Sequence, residues 1–66
     1  MIRKYKGYFA RNDDGSLWFH QEKPHKKGNI WVNKKNSMWV CGDYFPDITK
    51  DKNDPTKVEI TIDYTL

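Results

Sequence analysis

Residues 12–16, Asn-Asp-Asp-Gly-Ser, are the strongest turn signal in this chain, and an aromatic run lies on each side of them. Asp followed by Gly supplies the φ > 0 positions that a tight hairpin needs. Tyr5 to Arg11 reads as the strand before the turn, with Gly7 as a bulge or a point of close backbone approach. Leu17 to Glu22 reads as the return strand, and Lys23-Pro24 ends it because proline has no ladder donor. A three-residue loop at 13–15 sets Phe9 opposite Phe19, Tyr8 opposite His20 and Lys6 opposite Glu22.

The remaining punctuation is of the same kind. His25 to Gly28 reads as a second turn, Asn29 to Asn33 as a strand, Asn33 to Asn36 as a third turn and Ser37 to Cys41 as a further strand. A three-residue loop at 34–36 pairs these last two strands. Ile30, Val32, Met38 and Val40 then share one face, and Trp31 and Trp39 face each other on the other. Residues 43–56 carry Pro46, Pro55 and many Asp and Lys, and read as an irregular loop with one helical turn over 47–51. From Lys57 to Leu66 the pattern alternates, with Val58, Ile60, Ile62 and Tyr64 on one side. No segment shows sustained helical periodicity. These signals predict a single all-β domain over residues 1–66, with one small antiparallel sheet of about five strands as a meander or an SH3-like barrel. The predicted core is Phe9, Leu17, Phe19, Ile30, Val32, Met38, Val40, Val58, Ile60 and Ile62.

Composition tests whether so short a chain can fold. Hydrophobic residues make up 36% and charged residues 32%, a balance that leans towards disorder. Aromatic residues make up 15%, and each buries a large area for one residue ordered. An aromatic core of modest stability, or one supplemented by dimerisation, is the consequence. No apolar run is long enough for a membrane span, and no apolar stretch follows the basic Arg3, Lys4 and Lys6 to make a secretory leader. The single Cys41 excludes an intrachain disulfide and a multi-cysteine zinc site, and the expected compartment is the cytoplasm.

Charge is unevenly spread. Residues 23–35 carry five Lys and no acid, whereas residues 43–63 carry three Lys and six acids. Lys23, Lys26, Lys27, Lys34 and Lys35 surround Trp31, with Trp39 as its expected neighbour across the hairpin. Aromatic side chains beside a cationic stretch suit stacking of single-stranded nucleic acid. Trp and Tyr suit a protein interface equally well, and both tryptophans could instead close a second small core under the 44–55 loop. Catalytic constellations are weak. His20-x-Glu22 lacks the downstream cysteine pair of a zinc deaminase, and Cys41 beside Val40 reads as a small buried apolar residue rather than a nucleophile. No metal, no cofactor and no catalytic residue is expected.

Ala10, Arg11, Asp13 or Asp14, Gly15 and Leu17, then Lys23-Pro24, Trp31, Phe45-Pro46, Pro55 and Val58-Glu59, carry a resemblance. The order is similar to a pattern in short bacterial proteins of gut Bacteroides-type genomes, their phages and their mobile elements. That family has no established activity. The resemblance implies a source and a domain of unknown function, and transfers no site residues. The Lys-rich middle and Cys41 depart from the pattern. The reading is a non-enzymatic small binding or accessory protein acting on a protein partner or as a homodimer, away from membranes. The alternative is a nucleic-acid-binding small β-barrel that uses the lysines and tryptophans named above.

Overall fold

The structure is a computed structural model that describes residues 1–49 and 53–66. It is all-β. The strands are β1 (Ile2–Arg11), β2 (Leu17–His20), β3 (His25–Lys27), β4 (Ile30–Val32), β5 (Ser37–Val40) and β6 (Thr56–Asp63), with one 3-10 turn at Gly42–Tyr44. Four strands form an antiparallel sheet in the order β5-β2-β1-β6, and β3 and β4 form a separate two-stranded hairpin. The order is not that of a meander, because β5 returns to β2 and β6 returns to β1.

The first hairpin has the expected register. Phe9 lies opposite Phe19 and Tyr8 opposite His20. Gly15 takes φ +90, and its N–H donates to the Asn12 carbonyl at 2.9 Å. The Asp14 carboxylate accepts from the Ser16 N–H at 2.9 Å, closing the turn with a side chain. Phe9 and Phe19 meet edge to face at 6.0 Å between ring centres, a contact that adds about 1 kcal/mol to their burial. β1 starts earlier than the aromatic run suggested, because Ile2 to Lys6 are held by β6 rather than by β2. β2 ends at His20, so Lys6 and Glu22 do not pair. Lys6 faces Glu59, and Glu22 lies 3.6 Å from Lys35.

The expected hairpin between residues 30 and 41 does not form. His25–Lys27, read as a turn, is a strand, and the turn is Gly28-Asn29 with Gly28 at φ +62. β4 therefore pairs with β3. Trp31 lies opposite Lys26, and Trp39 lies opposite Trp18. The helical turn expected over 47–51 includes residues outside the described ones, and the described helical turn stands earlier, at Gly42–Tyr44.

Residues opposite one another in a ladder share a face, and successive residues alternate. One face of the sheet thus carries Tyr5, Gly7, Phe9 and Arg11 of β1, Leu17 and Phe19, Met38 and Val40, and Val58, Ile60 and Ile62. The buried cluster is Phe9, Leu17 and Phe19, with Val40, Ile48, Val58 and Ile60 packed against it. Ala10, absent from the predicted core, is fully buried on the opposite face. Ile30, Met38 and Ile62 were expected inside and are exposed. Ile30 lost its expected place because β4 left the sheet. Met38 and Ile62 lie on the core face, but away from Phe45 and Ile48, which cover it.

Candidate interaction surface

Each sheet face has its own cover. On the core face the cover is the segment after β5. Phe45 packs on Phe9 at 5.5 Å, and Ile48 joins the core cluster. Arg11 fastens this segment. Its guanidinium donates to the carbonyls of Gly15 at 2.9 Å, Phe45 at 2.9 Å and Ile48 at 3.0 Å. The cover stops at the Arg11 end of the sheet. Towards the Ile2 end the same face stays open, as a groove of about 280 Å³ walled by Tyr5, Phe19, Met38, Ile60 and Ile62, with Gln21, Asn36 and Ser37 at its polar end. Tyr5 is 42% exposed, Met38 52% and Ile62 44%, so the groove is an apolar patch in contact with solvent. Beside it runs β6, an outer strand of eight residues whose sheet partner is β1 alone among the described residues.

On the opposite face the cover is the β3–β4 hairpin. The 12–16 turn clamps it. Asn12 Oδ1 accepts from the Trp31 N–H at 2.8 Å, the Asp13 N–H donates to the Asn29 carbonyl at 3.0 Å, and the Lys26 ammonium meets the Asp13 carboxylate at 2.6 Å. A second cavity, of about 320 Å³, lies under the hairpin between Trp18, His20, Trp31 and Val32. His20 is 2% exposed. Asn33 Oδ1 accepts from the Lys35 N–H at 2.6 Å, which turns its amide nitrogen towards His20 Nδ1, also at 2.6 Å. His20 Nδ1 therefore accepts, the proton sits on Nε2, and Nε2 is buried with no hydrogen-bond partner among the described residues.

Burial holds the His20 pKa below its ordinary 6.5, because the charged ring would lose its hydration. The unfolded chain takes up this proton near 6.5, and the folded chain only at lower pH. Stability that is present above 6.5 is thus lost as pH falls towards the folded value. Thermal melts should show a lower midpoint at pH ~5.5 than at pH ~7.5, and His20→Gln should flatten that dependence although it lowers the midpoint itself. An equal pH dependence in the variant would remove His20 from this role.

The residues singled out on charge and aromaticity are dispersed. Lys26 and Trp31 do meet, with the ammonium 5.3 Å from the indole centre. Lys26 is also bound to Asp13, and Lys35 to Glu22. Lys23, Lys27 and Lys34 are exposed in three separate places, before β3, at the end of β3 and after β4. Trp39 is 58% exposed on β5 beside Trp18 and does not face Trp31. Neither tryptophan lies under the described part of the 44–55 loop, whose Phe45 and Ile48 cover the other face. Cys41 is half-buried just beyond β5. Among the described residues no three His, Cys, Asp or Glu side chains converge on a point that could hold a metal ion, and no helix is long and apolar enough to cross a membrane.

Sequence reasoning placed Ile60 and Ile62 in the core and missed the groove. The alternation of β6 showed that one side is apolar, but not that no described residue covers half of it. Comparison with protein-family models, with curated proteins and with solved structures finds no match for this chain.

Proposed function

We propose that this chain is a non-enzymatic protein-interaction module whose binding surface is the open half of the core face together with the edge of β6. The observation that carries this reading is the juxtaposition of the two. An apolar groove walled by Tyr5, Met38, Ile60 and Ile62 adjoins an eight-residue outer strand. An added strand would take its main-chain hydrogen bonds from β6 and set alternate apolar side chains beside Ile60 and Ile62, along the rim of the groove. The partner this surface suits is an extended polypeptide with apolar residues at every second position.

An environment-sensitive apolar dye tests the surface without knowledge of the partner. It should brighten on the native protein, with the near-ultraviolet dichroism of the tryptophans unchanged. Ile62→Gln should abolish most of that signal, because Ile62 is a groove wall outside the buried cluster. A native protein that leaves the dye dark contradicts the reading. The nucleic-acid alternative has less support, because Lys26 and Lys35 already face carboxylates. Tryptophan quenching by an oligonucleotide at ~20 mM salt, reversed at ~200 mM, would put it first.

A further inference from the structure

We propose that the partner at this surface is a second copy of the chain, joined edge to edge through β6 about a twofold axis normal to the sheet. The inference rests on the interaction reading above and adds the partner and the register. The edge itself is the starting point. β6 runs for eight residues, Thr-Lys-Val-Glu-Ile-Thr-Ile-Asp, with no proline. Its pairing with β1 is unbroken from Thr56 to Asp63, with no bulge. A long regular edge of this kind is a template for pairing unless something blunts it.

Charge and length of overlap together select one register. A twofold axis normal to the sheet keeps the two core faces on the same side, so only residues of the same face can oppose one another. With Ile60 on the axis, Lys57 opposes Asp63 of the second copy, Val58 opposes Ile62, and Glu59 opposes Thr61. Both opposite-charge pairs form, and the apolar residues meet only apolar residues. Moving the axis to Glu59 sets two carboxylates face to face. Moving it to Thr61 sets Glu59 against Asp63 twice. Axes at Val58 and Ile62 also avoid like charges, but they pair only residues 56–60 and 61–63, whereas the Ile60 axis pairs residues 57–63. Asp63 is available for it: its side chain is 80% exposed, and the Met1 ammonium lies 4.0 Å away on one carboxylate oxygen.

The geometry makes a continuous antiparallel sheet of eight strands from two four-stranded sheets, with the two grooves side by side. Ile60, Ile62 and Val58 of both copies then form one apolar band across the axis. A small chain with a short core gains from such a junction what it lacks in buried area.

Sedimentation equilibrium from about 10 μM to about 1 mM tests the proposal, a range that spans weak and moderate association. The native chain should pass from monomer to dimer. Lys57→Glu should weaken the dimer at least about tenfold, since it places two like-charge pairs across the axis, and Asp63→Lys should do the same. The double variant Lys57→Glu with Asp63→Lys should recover most of the loss, because the pairs are restored with their signs exchanged. A dimer that ignores the single changes overturns the β6 register. A chain that stays monomeric throughout also overturns the proposal. If that monomer still brightens the apolar dye, the interaction reading survives and the partner is another protein's strand. If it does not, both fall.

Discussion

Replacing Gly7 by alanine is expected to cost about 3 kcal/mol and to lower the thermal midpoint by on the order of 15 °C. The cause is space rather than backbone conformation. Gly7 lies in the middle of β1, opposite Val58 of β6. A Cβ there would run into the carbonyl oxygen of His20 and would stand 2.6 Å from the Phe19 ring. The first obstacle is backbone of the neighbouring strand, and the second is part of the buried cluster. Neither can swing aside as a flexible surface side chain would. Relief must come from widening the β1–β2 junction or from pushing Phe19 off Phe9, and both open the core. Gly15→Ala is the matched control. Among the described residues, nothing beyond its two chain neighbours lies within 4 Å of a Cβ at that position, and the cost there is the strain of φ +90, about 1 kcal/mol. Melting curves of the two variants should separate clearly. Equal and small shifts would mean that the ring of Phe19 does not cover Gly7.

Arg11→Ala should cost about 2–3 kcal/mol, since a charged donor to several carbonyls is lost. One guanidinium joins the hairpin turn, through the Gly15 carbonyl, to the covering segment, through Phe45 and Ile48. Without it those carbonyls turn to water, and the segment holding Phe45 loosens from Phe9. Chymotrypsin should then cut after Tyr44 faster than the whole chain unfolds. Arg11→Lys should recover little, because one ammonium cannot span three carbonyls in the fork geometry of a guanidinium. Cleavage at the native rate, with stability within about 0.5 kcal/mol of native, would show that the cover stays in place without Arg11.

The turn at 12–16 and the Phe9–Phe19 register were legible because local chemistry decides them. Asp14, Gly15 and the cross-strand aromatics all act within a few residues. The middle of the chain was misread for a physical reason. His25-Lys26-Lys27 has no apolar residue to mark a strand, yet it is one, held by its pairing with β4 and by the bond from Lys26 to Asp13. The signal that could have found it is Gly28-Asn29, a two-residue hairpin turn between a polar strand and an apolar one. Once that turn is assigned, Ile30 to Val32 has its partner, and Ser37 to Val40 must pair elsewhere. Trp39 then meets Trp18 instead of Trp31. The groove was not legible at all. Met38 and Ile62 have the same alternation as Val40 and Val58, and among the described residues it is the placing of Phe45 and Ile48 near the Arg11 end that decides which are shielded.

Amide hydrogen exchange along β6 reads the outer edge of the sheet residue by residue. Alternate residues of an outer strand bond to the sheet, and the others point their N–H groups outwards. The inward set bonds to β1 and should be protected at every concentration. The outward set should exchange freely in dilute solution and become protected as the concentration rises through the dimer range. Outward amides that exchange at one rate regardless of concentration would contradict the account of this edge as the site where a second copy docks.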